Sequence, residues 1–205
     1  MSFAIIGSGA IGHALATQFA RCDIDVLVAN QRGPASLVDF ARELGRNITA
    51  VSVPDALRAD VVVLAIPFSA VPDAVRGGGP WAGRIVVDAT NAIEFPAFSP
   101  KDLGGRASSD VVADAVPGAR LVKAFNTIPA AVLAADPAQH GGRRVVFLSG
   151  NDGAANAEIA ALVERLGFAA IDLGRISEGG RLQQFGAPLV AIDLVQHGSP
   201  ARRRQ

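Results

Sequence analysis

The residues with the clearest chemical potential lie within the first dozen positions: Gly7-Ser8-Gly9-Ala10-Ile11-Gly12, a GxGxxG spacing. The run follows Phe3-Ala4-Ile5-Ile6, which has the composition of a buried strand. It opens Ala10 to Arg21, where apolar residues recur at helical spacing. Strand, glycine loop and helix together are the context in which that spacing carries meaning. Gly7 would make the tight turn, Gly9 would let a diphosphate approach the backbone, and Gly12 would let helix and strand pack closely. The start of the helix then offers unpaired N–H groups and a partial positive charge to an anion. These six residues are candidates to hold the diphosphate of a dinucleotide.

A second set follows about twenty residues later, where adenosine-ribose specificity is decided in such folds. Asn30-Gln31-Arg32-Gly33 follows an apolar run, Asp25 to Ala29, that reads as a second strand. No carboxylate stands there to bind both ribose hydroxyls, and Asp23 and Asp25 precede the strand end. A guanidinium can grip a 2′-phosphate through two parallel hydrogen bonds, whereas a carboxylate would repel it. Asn30, Gln31 and Ser36 add further donors. The pattern selects NADP(H) over NAD(H), with Arg32 as the discriminating group.

What is missing narrows the chemistry. There is no tyrosine, and Lys101 and Lys123 are the only lysines, so the tyrosine–lysine proton delivery of short-chain dehydrogenases is excluded. About 55 residues follow Gly150, too few for the large helical second domain of hydroxyacid dehydrogenases. His13 follows the last loop glycine and either approaches the diphosphate or faces solvent; His140 and His197 sit in polar turns. Cys22, the single cysteine, forms neither an internal disulfide nor a zinc ligand set, and no metal-ligand spacing is visible. The catalytic residues stay unassigned because no proton donor stands out. Hydride exchange between a nicotinamide and a second ring cofactor, a flavin or deazaflavin, needs mainly the positioning of two rings about 3–3.5 Å apart. Two other readings remain open: a sensor module that binds NADP(H) without turnover, and a reductase of a small imine or carbonyl substrate that takes its proton from water.

The elements that must position these groups alternate along the chain, which predicts an α/β fold: a doubly wound, mostly parallel Rossmann-type sheet with helices on both faces and a short helical C-terminal appendage. After the first strand, helix and second strand come a helix over Pro34–Leu44 and strands over Ile48–Val51 and Val61–Ile66. A short helix Ser69–Arg76 and a strand Arg84–Asp88 follow. Asn91–Gly105 reads as a long loop, and Ser108 or Ser109 as the cap of a short helix. Strands at Leu121–Ala124 and Val145–Leu148, a helix Ala154–Leu166, a strand Ala169–Leu173 and a last helix over Arg181–Val195 complete the set.

The 205 residues, half of them apolar, suit one domain over residues 1–198 with a frayed, solvated tail over 199–205. A net charge of zero gives no field to draw nucleic acid or an acidic membrane. The longest apolar runs fall far short of the roughly 20 residues a spanning helix needs. Nothing at the N-terminus reads as a signal peptide, so a cytoplasmic protein is expected.

The sequence resembles the coenzyme F-420-dependent NADP oxidoreductase family, F-420 being a deazaflavin. The resemblance runs over nearly the whole chain. It is carried by Ala4 to Gly12, by Asn30 to Pro34, by Ala65-Ile66-Pro67, by Val87-Asp88-Ala89-Thr90-Asn91 and, most distinctively, by Lys123-Ala124-Phe125-Asn126-Thr127-Ile128-Pro129. It implies NADP lying across the carboxyl ends of the strands, with the nicotinamide near Ile66, Pro67 and the Asn126-Thr127 turn, beside a flavin or deazaflavin. It also implies a homodimer. From the residues themselves, Asn126 and Thr127 could instead cap a helix leading from Pro129, Lys123 reads as snorkelling or salt-bridged, and Asp88 either caps a turn or touches ligand. The stretch Arg181 to Val190 and the ending Ala201 to Gln205 depart from the family pattern.

Overall fold

The computed structural model describes residues 1–198; the expected tail over 199–205 and its arginine triplet lie outside the described residues. In chain order the elements are β1 (Phe3–Ile6), α1 (Ala10–Arg21), β2 (Val26–Ala29), α2 (Val38–Leu44), β3 (Ile48–Ala50), α3 (Val53–Ala56), β4 (Val61–Leu64), α4 (Val71–Val75) and β5 (Ile85–Asp88). They continue with β6 (Ile93–Glu94), β7 (Ser99–Pro100), α5 (Ser108–Ala115), β8 (Arg120–Ala124), α6 (Ala130–Ala134), β9 (Ala138–Gln139) and β10 (Gly142–Gly150). The last are α7 (Gly153–Arg165), β11 (Ala169–Asp172), α8 (Arg181–Gln183) and β12 (Val195–Gln196).

The main sheet has the strand order β3-β2-β1-β4-β5-β8-β10-β11. The first six run parallel; β10 turns antiparallel to β8, and β11 is parallel to β10. This is the doubly wound, mostly parallel Rossmann-type sheet that the alternation predicts. Its chain reversal falls between β1 and β4, where ligands bind in open α/β sheets.

Successive residues of the central strands face opposite sides, and both sides are covered. Ile5, Val61, Val63, Ile85 and Val87 join the core under α1 and α7, while Ala4, Ile6, Val62, Leu64 and Val86 join the core with α4, α5 and Trp81. That two-sided burial explains why β1, β4 and β5 read as unbroken apolar runs. Each fully buried Val, Leu or Ile contributes about 1.5–3 kcal/mol of transfer free energy, so the strand ends are held firmly.

Several expectations are corrected. The helix expected over Pro34–Leu44 begins as a 3-10 turn, Pro34–Leu37, before α2. Neither Ser108 nor Ser109 caps α5: Ala107 is the cap residue, and Ser109 donates to Asp88 instead. The Asn91–Gly105 loop contains the β6–β7 hairpin, paired at Ile93 with Pro100 and Glu94 with Ser99. The helix expected over Arg181–Val195 stops at Gln183. Gly186 takes a positive φ of 85° and Pro188 follows, so the chain folds into turns and returns as β12 along β10.

Candidate functional site

The glycine loop spans the chain reversal. Gly7 has φ +114°, and a Cβ there would lie 2.2 Å from the Ala65 carbonyl oxygen; a Cβ on Gly12 would lie 2.0 Å from the Gly7 carbonyl oxygen. Both contacts are backbone, so these two glycines are required for β1, β4 and α1 to approach as they do. Gly9 differs. Its φ is −75°, and a Cβ there would meet no atom within 4 Å. The space beside Gly9 is open, the condition for a ligand to approach the backbone. Gly9 is also the N-cap of α1, with no side-chain cap and no acidic residue in the first turn. The amides of that turn and the helix dipole therefore point into the cleft uncompensated.

Beyond β2 the side chain of Asn30 acts as an organiser. Its Nδ2 donates to Ser8 Oγ at 3.0 Å, and its Oδ1 accepts from the Arg32 N–H at 2.9 Å and from Ser36 Oγ at 3.1 Å. Ser36 Oγ also lies 2.8 Å from the Gly33 carbonyl oxygen. Asn30 thus ties the glycine loop to the Arg32 loop. Gln31 and Arg32 are exposed, and the Arg32 guanidinium has no carboxylate partner among the described residues. Asp23 and Asp25 stand at the opposite end of β2 and bond to Arg46 and Asn47.

Two clefts open from this loop. The first, about 770 Å³, is lined by Gly7, Ser8, Gly9, Asn30, Gln31, Arg32 and Gly33 on one side. Ser52, Val53, Pro54 and Leu57 around α3 and Ala70, Asp73, Ala74 and Gly77 around α4 form the other walls. The second, about 760 Å³, runs from Gly9, Ala10 and Ile11 past Thr90 and Asn91 to Ile93, Glu94, Phe95 and Lys101. Both include Gly9 and Ala65-Ile66-Pro67. Each has the volume of a small-molecule site, and together they form one trough across the carboxyl ends of the strands. α3 and the β6–β7 hairpin supply walls that sequence reading did not identify; Ser52 as a side-chain cap directly before Val53-Pro54 was the available signal for α3.

Not every expected residue reaches the trough. Asn126 and Thr127 are buried and line neither cleft. The Asn126 amide donates to Asn91 Oδ1 at 3.0 Å and to the Gln183 carbonyl at 2.6 Å, while Asn91 Nδ2 donates to the Asn126 carbonyl at 2.9 Å. Asn126 therefore holds Asn91, which does face the second cleft. Lys123 and Asp88 also lie behind it, wholly buried, with Nζ 3.1 Å from Oδ2. Lys123 Nζ further donates to the Thr90 carbonyl, Thr90 to Asp88 Oδ1 through both N–H and hydroxyl, and Ser109 to Asp88 Oδ2. Burial alone would raise the Asp88 pKa. The Lys123 ammonium and the Thr90 and Ser109 hydrogen bonds outweigh it and hold the carboxyl below the usual carboxylate range. Both open readings resolve: Lys123 is salt-bridged, and Asp88 shapes the turn into Thr90.

The sequence model described as NADP oxidoreductase, coenzyme F-420-dependent, matches residues 2–92, which carry both the glycine loop and the Arg32 loop. A hypothetical protein from Sinorhizobium meliloti is 54% identical over 96% of both chains, with a TM-score of 0.93. A protein from Arthrobacter sp. FB24, provisionally assigned as an F-420-dependent NADP reductase, is 29% identical over 86% of both chains, with a TM-score of 0.73. Residues 2–92 of this chain thus match the F-420-dependent NADP oxidoreductase family. It is also 25% identical over 181 residues to metalloreductase STEAP3 of Rattus norvegicus, covering 87% of this chain. The chain spans 35% to 39% of the length of the curated relatives it matches. A reductive aminase from Aspergillus terreus solved with NADPH, 22% identical over 85% of this chain and 55% of its own with a TM-score of 0.61, shares the fold. That match makes NADP the dinucleotide whose fit to the trough matters.

The residues fit it. An uncapped helix start beside open space at Gly9 suits a diphosphate, and an unpaired guanidinium with no carboxylate after β2 suits a 2′-phosphate.

Proposed function

We propose that the protein reduces a planar ring acceptor, a flavin or deazaflavin, at the expense of NADPH. The observation that carries this reading is the continuity of the two clefts through Gly9 and Ala65-Ile66-Pro67. Each cleft is large enough for one partner, and they meet at the strand ends.

In this reading Gly7 to Gly12 hold the diphosphate through the first amides of α1. Arg32 takes the 2′-phosphate, aided by Gln31 and Ser36, while Asn30 keeps the loop in register with Ser8. Ile66 and Pro67 form the apolar floor where the clefts meet; Asn126 acts from behind by fixing Asn91, and Thr127, whose carbonyl accepts the Ala191 N–H, ties the same turn to the C-terminal segment. When bound, NADPH supplies two electrons and a proton as a hydride from its nicotinamide. The oxidised acceptor ring receives that hydride and one further proton from solvent. The protein's part is to align two rings and exclude water between them, and no buried acid is required. Among the described residues, the second cleft's titratable groups are Glu94 and Lys101, paired at 3.2 Å on its rim.

The reading extends to a homodimer in the cytoplasm. Exposed Phe95, Phe98, Leu182, Ile192 and Leu194 supply apolar surface for a self-contact, and light scattering at micromolar concentration should give twice the chain mass. Among the described residues, no helix is long and apolar enough to cross a membrane.

Stopped-flow oxidation of NADPH against FMN, FAD and F-420, with NADH run alongside, tests the function. At least one ring acceptor should be reduced, and NADPH should be preferred. Arg32→Ala should raise the NADPH dissociation constant tenfold or more, about 1.4 kcal/mol, and leave NADH nearly unchanged. Equal losses for both dinucleotides would assign Arg32 a merely structural role, and tight NADPH binding with no acceptor reduced would make the protein a sensor.

A further inference from the structure

Most of the apolar lining of the second cleft is borrowed from the core. Ile11 and Ala65 pack against the core on one side of the sheet, and Ile66 and Phe68 against the core on the other. Phe95 is different. It belongs to no core cluster and is 68% exposed. Among the exposed large apolar side chains of the described residues, it is the only one that lines this cleft. A phenyl group left in water forgoes the free energy that burial would supply.

The segment that carries Phe95 is held in place from several sides. β6 pairs with β7, the Lys101 N–H donates to the Ala92 carbonyl at 3.0 Å, and Lys101 Nζ reaches Glu94 at 3.2 Å. The Phe98 ring leans edge-on against Phe185 of the C-terminal segment, with centroids 5.2 Å apart and an angle of 82° between planes. The Phe95 ring follows at 6.0 Å from Phe98. Both separations are those at which aromatic rings attract one another. The row runs from the C-terminal segment to the cleft, and of its three rings Phe95 alone borders that space. An aromatic surface is thus braced beside the cleft and left uncovered.

We infer that Phe95 is the platform on which the acceptor ring stacks, with the ring's other face turned to the nicotinamide. This rests on the ring-acceptor reading and makes Phe95 the residue that selects planar rings over small aliphatic carbonyls or imines. A planar ring covers the phenyl and is covered by it, so both surrender water-exposed apolar surface. A short aliphatic substrate covers far less of it. With Phe95 occupied by ligand, the self-contact rests on Phe98, Leu182, Ile192 and Leu194.

The test measures binding of FMN and F-420 to the NADP⁺-saturated protein by ring fluorescence, and turnover by NADPH oxidation. Phe95→Ala should raise the dissociation constant and KM of each ring that the parent accepts by about tenfold, and leave NADPH affinity as in the parent. Phe95→Leu keeps apolar area without a ring and should recover only part of the loss, whereas Phe95→Tyr should recover nearly all. Phe95→Trp gives the spectroscopic signature. An indole in contact with an electron-poor ring quenches its fluorescence by electron transfer, so the bound ring should be several-fold dimmer than in the parent. Because the side chain is exposed, the variants should melt with the parent. Unchanged affinity in Phe95→Ala, or a bound ring as bright in Phe95→Trp as in the parent, would overturn the platform and leave the ring-acceptor reading standing. A bright ring in Phe95→Trp, with the dimer mass lost in Phe95→Ala, would instead assign Phe95 to the self-contact. Failure of every ring to bind the parent would overturn both readings.

Discussion

Lys123→Met should lower the stability of the fold by about 3–5 kcal/mol, the cost of leaving a buried charge without its partner. At about 2–4 °C per kcal/mol for a chain of this size, the melting midpoint should fall by roughly 6–20 °C. The basis is geometric: neither Lys123 nor Asp88 has exposed side-chain surface, and Lys123 Nζ is 3.1 Å from the carboxylate. Asp88→Asn should lose a similar amount. The double variant Asp88→Asn/Lys123→Met should be more stable than the sum of the two losses implies, with a coupling on the order of 0.5–3 kcal/mol. Urea unfolding of the four proteins measures the cycle, and strictly additive losses would show that the two charges do not sense each other.

The same pair sets an acid limit. Asp88 has its folded pKa depressed below the ordinary carboxylate value, so it binds its proton more readily when unfolded. Its contribution is therefore fully present above the unfolded value, about 3.9, and is lost as pH falls through the folded value. In Lys123→Met the acid limb of the stability curve should be shallower, because the charge that depresses Asp88 is gone. An unchanged limb would assign the acid sensitivity to other carboxylates.

Gly9→Ala should leave the fold intact, with a melting midpoint within about 2 °C of the parent, yet weaken NADPH at least a hundredfold, roughly 2.7 kcal/mol. The prediction follows from two facts together: an added Cβ at Gly9 meets no protein atom, and the φ of −75° suits any residue. Only a ligand would feel the methyl group. Gly12→Ala is the contrasting case. There the methyl would lie 2.0 Å from the Gly7 carbonyl oxygen, so helix and strand must separate. Overpacking of this kind costs about 1–3 kcal/mol, and both stability and binding should fall. Calorimetry with NADPH and thermal melts of both variants separate the cases. Full NADPH affinity in Gly9→Ala would mean that the diphosphate does not rest on the first turn of α1.

The sequence by itself determined the parts of this protein that depend on neighbours in the chain. β1, the glycine loop and α1 are continuous in sequence, and so are β2 and the Arg32 loop; turn geometry, helical spacing and a missing carboxylate are legible there because their physics is short-range. Two-sided burial of β1, β4 and β5 was likewise written in their unbroken apolar runs. The tertiary structure alone decided which distant residues meet. Lys123 finds Asp88 because β8 lies beside β5, and Asn126 is drawn to Asn91 and Gln183 instead of facing the trough. No periodicity encodes such pairings, since strand order, not strand identity, sets them. The C-terminal segment makes the same point: Arg181 to Val195 holds enough apolar residues to suggest a helix, but Gly186, Pro188 and the open edge of β10 direct it into turns and a short strand.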